Sequence, residues 1–211
     1  ANLDCVLKCK YCFAGGYDWT GYLKWNRGKY NLDKIVESLE KVYEIRQDND
    51  VVFHGGEPLL MPIEDFEYIL DRIRDKVKNV GIQTSGYLIR DEHIELFKKY
   101  RMNVGISWDG LGKLNSLRGF PDNEKLNREY NKRVIANMKR LRDNGIDVGV
   151  IMVLSKVNAG DERRVEMLWR SILWLRRIGI TGGRLNPMWT NNPFLKQYEL
   201  TPEELANAWL Y

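Results

Sequence analysis

Short apolar runs alternate with amphipathic stretches along most of the chain, and this alternation limits the possible folds more than any other feature. The apolar runs have the length and composition of strands buried on both faces. The amphipathic stretches repeat apolar residues at helical spacing. The predicted strands lie at 51–53, 80–84, 103–110, 147–154 and 182–188. The predicted helices lie at 33–46, 63–77, 91–100, 127–145 and 161–179, with a last one opening at 201–202.

Strict alternation of this kind predicts an α/β fold, in which helices cover a parallel sheet. A further strand is expected just before Cys5, which would make six βα units. Such units form a full or partial barrel, or a doubly wound sheet. Both arrangements place ligands at the carboxyl ends of the strands. The unusual motifs of this chain all follow the ends of predicted strands.

The composition suits one globular domain that stays in solution, since 44% of the 211 residues are hydrophobic and 29% are charged. The net charge of +4 is too small an excess to indicate a nucleic-acid partner. No apolar run approaches the about 20 residues that span a bilayer, so no membrane partner is expected. No signal peptide is visible, and the cysteines are clustered rather than spread as in a secreted disulfide framework. We therefore expect a cytoplasmic protein.

Both ends of the chain predict a fragment of a longer protein. The sequence does not begin with Met, and it opens only four residues before its first cysteine. It stops at Tyr211, inside the predicted final helix. We therefore expect most of the first strand and the end of the final helix to be missing.

Cys5, Cys9 and Cys12 are the only cysteines in the sequence, and their spacing is C-x3-C-x2-C. Zinc in a structural site prefers four tetrahedral ligands, and only His54 or His93 could supply the fourth. A [4Fe–4S] cluster held by three thiolates would leave one iron open to another ligand. The spacing alone favours iron–sulfur over zinc, and either metal site over three unrelated thiols.

Two further segments, "HGGEP" at 54–58 and "GISWDG" at 105–110, come at the ends of predicted strands. Paired glycines followed by a proline are by themselves typical of a tight turn between a strand and a helix. The same glycines also let the backbone approach a ligand closely. Ser107 and Asp109 in the second segment are by themselves typical of a capped loop.

Taken together, these segments resemble the motifs of radical S-adenosylmethionine (SAM) enzymes. The stretch "CVLKCKYCF" is similar to the cluster-binding loop of that family, including Tyr11 before the last cysteine. "HGGEP" is similar to the family's GGEP motif, and "VGIQTSG" (80–86) is similar to its third-strand signature, with Ser85 in place of the usual Asn. The resemblance implies a (β/α)6 partial TIM barrel, with residues 1–211 as its core domain.

The resemblance also implies the cofactors. Cys5, Cys9 and Cys12 would hold one [4Fe–4S] cluster, and SAM would be the remaining ligand of its open iron. Glu57 would bind the amino group of SAM, and Arg118 would bind its carboxylate, since a guanidinium suits bidentate hydrogen bonding. Without that context, Arg118 would be taken for a solvated surface charge. The full set of implied cofactor-binding residues is Tyr11, Gly55, Gly56, Glu57, Ser107, Asp109, Arg118, Val153 and Met188.

The reaction follows from the same resemblance. A reduced cluster would cleave SAM to methionine and a 5′-deoxyadenosyl radical, which takes a hydrogen atom from the substrate. The motifs are most similar to the branch that includes anaerobic sulfatase maturases and other peptide-modifying enzymes. A peptide or protein side chain is therefore the expected substrate, with a small molecule as the second interpretation. The expected electron donor is a flavodoxin or a ferredoxin.

Several features are not assigned by these motifs. Members of that branch usually carry a C-terminal SPASM or twitch domain with auxiliary clusters, which this sequence does not show. Trp19 and Trp25 would cover the cluster, meet the substrate, or simply close the edge of the core. No residue is assigned as the acid or base for the substrate. A zinc-binding module, or a TIM-barrel enzyme with incidental cysteines, would not explain motifs at consecutive strand ends.

Overall fold

The strands form one open parallel sheet. The computed structural model describes residues 4–12, 30–46 and 50–210. Within these residues five strands lie in the order β1-β2-β3-β4-β5, so that neighbours in the chain are neighbours in the sheet. A doubly wound sheet reverses its strand order, and the predicted α/β partial barrel is therefore confirmed. The strands are β1 (Asp50–Phe53), β2 (Asn79–Thr84), β3 (Asn103–Ser107), β4 (Val148–Leu154) and β5 (Gly182–Pro187).

The helices of the described residues follow the predicted pattern closely. Most predicted boundaries agree with the structure to within about three residues. The strand predicted to run to residue 110 ends at Ser107, and the helix predicted to reach 77 ends at Ile73 and continues as a 3-10 turn. The helices are α1 (Leu32–Ile45), α2 (Ile63–Ile73), α3 (Asp91–Lys99), α4 (Glu124–Asp143), α5 (Lys156–Ala159), α6 (Glu162–Arg177) and α7 (Pro202–Leu210). None of the helices in the described residues is long and apolar enough to cross a membrane.

The sheet has one face packed against helices and one face left open. In β4 every second residue is buried, and these residues join the core formed with the helices: Val148, Val150, Met152 and Leu154. The alternate residues Gly149, Ile151 and Val153 lie half-buried on the opposite face. Side chains alternate in this way because successive residues of a strand point to opposite sides.

His93 is fully buried at the start of α3. Its Nδ1 accepts a hydrogen bond from the Arg90 backbone N–H at 3.1 Å, which caps the helix. Its Nε2 has no hydrogen-bond partner among the residues that the structure describes. Burial lowers the pKa of His93 to about 4, the Arg90 cation acts in the same direction, and Glu92 opposes them. The folded protein therefore holds a neutral imidazole at neutral pH.

This depressed pKa predicts a loss of stability at mildly acidic pH. Between about pH 6.5 and about pH 4, the unfolded chain protonates His93 while the folded chain does not. The free energy of unfolding should therefore fall as the pH falls through this window, by at most about 1.4 kcal/mol per pH unit. Denaturant unfolding at several pH values gives the free energy of unfolding as a function of pH. Between about pH 6.5 and about pH 4, this free energy should depend less steeply on pH for His93→Gln than for the wild type.

His54→Gln is the matched control, because His54 is exposed after β1. It should keep the wild-type slope. Identical slopes for the wild type and His93→Gln would show that His93 is not the group responsible.

Candidate active site

The cysteine loop lies along the segment that follows β3. The backbone N–H of Lys8 donates to the Gly119 carbonyl at 2.8 Å, and that of Lys10 donates to the Leu117 carbonyl at 2.9 Å. In the opposite direction, the Gly119 N–H donates to the Cys9 Sγ at 3.3 Å. These three contacts hold the loop backbone against residues 117–119.

Gly119 is required at this contact for two reasons. Its φ is +76°, in the left-handed region that favours glycine. A Cβ atom at this position would also lie 2.4 Å from the Tyr130 ring of α4. The absence of a side chain lets the buried tyrosine pack directly under the segment that holds the cysteine loop.

The three cysteines are all free thiols in the structure, with Cys5 exposed and Cys9 and Cys12 half-buried. Although part of the Cys5 residue is exposed, desolvation of its thiol raises the pKa of Cys5 to about 12. Desolvation also raises the pKa of Cys9, although the Arg118 cation opposes it. These two thiols are therefore protonated at neutral pH until a metal stabilises their thiolate forms.

Among the described residues, no three His, Cys, Asp or Glu side chains come together as a metal-binding group. Neither His54, exposed after β1, nor His93, buried in α3, joins the cysteines in such a group.

Asp109 connects the cysteine loop to the end of the sheet. Its carboxylate is buried, with 2% of the residue exposed. Oδ1 accepts a hydrogen bond from the Val153 N–H at 2.8 Å and lies 3.0 Å from the Arg118 Nε. Oδ2 accepts a hydrogen bond from the Tyr11 hydroxyl. Four of the predicted cofactor-binding residues are thus brought together in one network, in which both carboxylate oxygens already have protein partners.

Arg118 is a buried residue, so its interpretation as a solvated surface charge is wrong. Only 8% of the residue is exposed, and the guanidinium lies 5.2 Å from the centre of the Tyr11 ring. The Nε–Oδ1 contact with Asp109 is an ion pair that lacks the alignment of a hydrogen bond. Although burial by itself opposes the charge, Asp109 and Tyr11 raise the pKa of Arg118, so the guanidinium stays protonated.

Glu57 organises the turn after β1. It is 1% exposed, and each of its carboxylate oxygens accepts two hydrogen bonds. Oε1 accepts from the Leu59 N–H at 3.2 Å and from the Thr84 hydroxyl at 2.6 Å. Oε2 accepts from the Ser85 N–H at 3.0 Å and from the Ser85 hydroxyl. The carboxylate therefore joins the "HGGEP" turn to the end of β2, and Gly55 and Gly56 of that turn are half-buried.

Ser107 is positioned from the neighbouring strand. Gln83 of β2 and Gly105 of β3 are register partners on the open face. A Cβ atom at residue 105 would lie 2.1 Å from the Gln83 Oε1, so glycine makes room for the amide to lie across β3. The Gln83 Nε2 then donates to the Ser107 Oγ at 2.8 Å.

The two predicted adenine contacts lie at the ends of β4 and β5. Val153 is half-buried on the open face, and its N–H is bound by Asp109. Met188 is 6% exposed, and its N–H donates to the Leu154 carbonyl at 2.8 Å. A backbone contact from Met188 to a ligand would therefore have to use its carbonyl. Trp19 and Trp25, the aromatic candidates for covering the cluster or meeting the substrate, lie outside the described residues.

Sequence reasoning missed several residues that build this site. Thr84 and Ser85 hold Glu57, and the stretch "QTSG" carries a signal only through its resemblance to a family motif. Gly119 and Tyr130 carry no separate signal, because an isolated Arg-Gly-Phe and a helical tyrosine are common in any sequence. Their roles become visible only when residues far apart in the chain are brought together.

The chain matches the model of one protein family. The model of the radical SAM superfamily matches residues 3–182. The cysteine-type anaerobic sulfatase-maturating enzyme of Clostridium perfringens is 31% identical over 126 residues, which is 56% of this chain and 33% of that enzyme. The antilisterial bacteriocin subtilosin biosynthesis protein AlbA of Bacillus subtilis is 30% identical over 162 residues, 73% of this chain and 32% of AlbA. The chain thus spans about a third of the length of these relatives.

A solved structure has the same fold as the described residues of this chain. Native anSMEcpe with bound AdoMet and Cp18Cys peptide superposes with a TM-score of 0.75 at 18% sequence identity. The superposition covers 99% of this chain and 55% of that one.

Because Glu57 accepts four hydrogen bonds, we predict that even the replacement of one carboxylate oxygen destabilises the protein. Glu57→Gln replaces one acceptor oxygen with an NH₂ donor, which would face N–H or O–H donors in a buried place. We expect the free energy of unfolding to fall by about 1–3 kcal/mol, as for a buried group left without its partner. Denaturant unfolding measures the change.

Glu129→Gln provides the control, because Glu129 is exposed on α4. It should change the free energy of unfolding by no more than about 0.5 kcal/mol. If the two substitutions cost the same, the Glu57 carboxylate does not hold the turn to β2.

Proposed function

This chain belongs to the radical SAM superfamily, whose family model matches residues 3–182, and from this premise we propose that it is the core of a radical SAM enzyme that modifies a peptide or protein side chain. The observation that carries the proposal is the pair of relatives at 30% identity or more. One is named for the maturation of sulfatases and the other for the biosynthesis of subtilosin. Because the chain spans about a third of each relative, the activity and substrate of the whole protein belong to the proposal.

Family membership implies a [4Fe–4S] cluster and SAM, and the donor set of this chain fits them. Three soft thiol ligands lie on one loop, and the backbone of this loop is hydrogen-bonded to residues 117–119. The sequence has no fourth cysteine. Three thiolates without a fourth protein ligand suit a cluster that keeps one iron open. Cys5, Cys9 and Cys12 would hold it.

The cofactors, when bound, supply the one-electron reduction and the hydrogen abstraction, and the chain supplies binding and orientation. We assign the backbone of Gly55 and Gly56 to the amino end of SAM, because glycines allow close approach. Glu57 keeps that turn in place through its bonds to Thr84 and Ser85. In this proposal the glutamate acts by positioning the turn.

The remaining cofactor contacts follow the strand ends. We assign the Ser107 hydroxyl, held by Gln83, to the ribose, and the side chain of Val153 and the carbonyl of Met188 to the adenine. The Arg118 guanidinium would bind the carboxylate of SAM, while the Arg118 Nε stays beside Asp109. Tyr11 and Asp109 would keep the cysteine loop and Arg118 in one arrangement.

The substrate and the electron donor are inferred from the branch of the family. A peptide or protein segment would reach the open face of the sheet, where β3, β4 and β5 present small or half-buried residues. A flavodoxin or ferredoxin would supply the electron. No described residue is assigned as the acid or base.

The proposal predicts cluster assembly and SAM cleavage by this chain. Anaerobic reconstitution with iron and sulfide should give about four irons per chain. Reduction with dithionite in the presence of SAM should then release 5′-deoxyadenosine. Cys9→Ala should lose both the stable cluster and the cleavage, because one of three ligands is gone.

Lys8→Ala is the matched control in the same loop, since the Lys8 side chain is exposed and only its backbone bonds to Gly119. It should keep both iron and cleavage. A wild-type chain that binds one zinc tightly and takes up no iron would contradict the proposal. Stimulation of cleavage by free amino acids but not by peptides would move the substrate to a small molecule.

A further inference from the structure

Tyr130 carries a buried hydroxyl group without a partner among the described residues. The residue lies on α4 and is 0% exposed. Its hydroxyl makes no hydrogen bond to any residue that the structure describes. The nearby Asn115 amide offers the hydroxyl a donor, since its Nδ2 donates one hydrogen to the Asn131 Oδ1 at 2.6 Å and carries a second, while its Oδ1 accepts from the Asp109 N–H at 2.8 Å. No described residue accepts the hydroxyl proton. A buried polar group left unsatisfied costs about 1–3 kcal/mol, so its retention needs an explanation.

The position of Tyr130 explains why the buried hydroxyl is retained. Its ring packs directly against Gly119, where even a Cβ atom would come within 2.4 Å. Gly119 is the residue whose N–H donates to the Cys9 Sγ at 3.3 Å. The tyrosine thus lies immediately beneath the contact that holds the middle cysteine of the loop.

The groups that act electrostatically on the Tyr130 hydroxyl include Cys9 itself. Burial raises the pKa of Tyr130, the Arg118 cation lowers it, Cys9 and Asp109 raise it further, and the Asn115 side chain lowers it. Arg118 and Asp109 act on the Cys9 thiol as well.

We propose that Gly119 and Tyr130 are positioning residues for Cys9, which donate hydrogen bonds from a backbone N–H and a hydroxyl to the sulfur atoms on the Cys9 side of the cluster. The inference rests on the proposed function, because it requires the cluster to be bound. The Gly119 bond to Cys9 is present in the structure, and the Tyr130 hydroxyl would donate the second bond.

Such donors affect the electron affinity of the cluster. Reduction adds negative charge to the iron and sulfur atoms, and a nearby N–H or O–H dipole stabilises that charge. Hydrogen bonds to the sulfurs are among the main determinants of an iron–sulfur reduction potential. The effect is larger in a buried site, where water does not screen it. Gly119 and Tyr130 should therefore make the cluster easier to reduce.

Tyr130→Phe tests the inference with the smallest change. It removes only the hydroxyl and keeps the ring under Gly119. If the hydroxyl has no partner in the cofactor-free chain, its removal should leave the unfolding midpoint of that chain unchanged or slightly raised. After anaerobic reconstitution, the variant should hold as much iron as the wild type. A redox titration without SAM, followed by electron paramagnetic resonance, should then show an equilibrium constant for reduction about tenfold lower, which is a midpoint about 59 mV more negative for a one-electron couple.

Tyr87→Phe is the matched control. Its ring lies 5.6 Å from the Tyr130 ring in the same aromatic group, but the residue is half-buried and none of its described contacts involves Cys9. It should keep the wild-type potential. The comparison separates the effect of one hydroxyl on the cluster from a general change in the aromatic packing.

The outcomes distinguish this inference from the proposed function. A fully loaded Tyr130→Phe chain with the wild-type potential would overturn the inference and leave the enzyme class untouched. Loss of iron from Tyr130→Phe alone would also overturn it, because the residue would then be structural. A wild-type chain that takes up no iron would overturn the proposed function first, and the inference with it.

Discussion

The buried carboxylate of Asp109 is the interaction on which the candidate site depends. It accepts hydrogen bonds from Tyr11 in the cysteine loop and from the backbone of Val153 in β4, and it faces Arg118 at 3.0 Å. Removing a charge from water is costly unless partners replace the lost hydration. Here three different segments provide those partners. The cost of burial therefore fixes where the cysteine loop lies relative to the sheet.

Glu57 has the same role at a neighbouring strand end, where it holds the "HGGEP" turn after β1 to Thr84 and Ser85 at the end of β2. Its backbone N–H donates to the Asp4 carbonyl at 2.7 Å, so this residue also contacts the segment before the first cysteine. Two buried carboxylates thus attach a loop and a turn to a rigid parallel sheet. A site supported in this way is held closer to its productive geometry than one built on loops alone.

The sequence predicts the sheet well and the site only incompletely. Alternating burial in Val148–Leu154 and helical spacing in the amphipathic stretches depend on local periodicity, which a single sequence displays. The contact between Tyr11 and Asp109 joins residues 98 positions apart, and no local pattern encodes it. For the same reason neither the burial of Arg118 nor the left-handed backbone of Gly119 follows from the sequence. Motifs locate the polar residues at the strand ends, but tertiary packing decides which of their atoms remain free.

The most direct test of this account measures backbone hydrogen exchange in the cysteine loop of Asp109→Asn. The Lys8 and Lys10 amides, which bond to residues 117–119, should exchange at least about tenfold faster than in the wild type, a loss of about 1.4 kcal/mol. Amides in the middle of β4 should keep their protection. Asp122→Asn, which removes an exposed carboxylate 3.3 Å from the Lys10 Nζ, should change neither. Unchanged loop protection in Asp109→Asn would show that the buried carboxylate does not hold the loop.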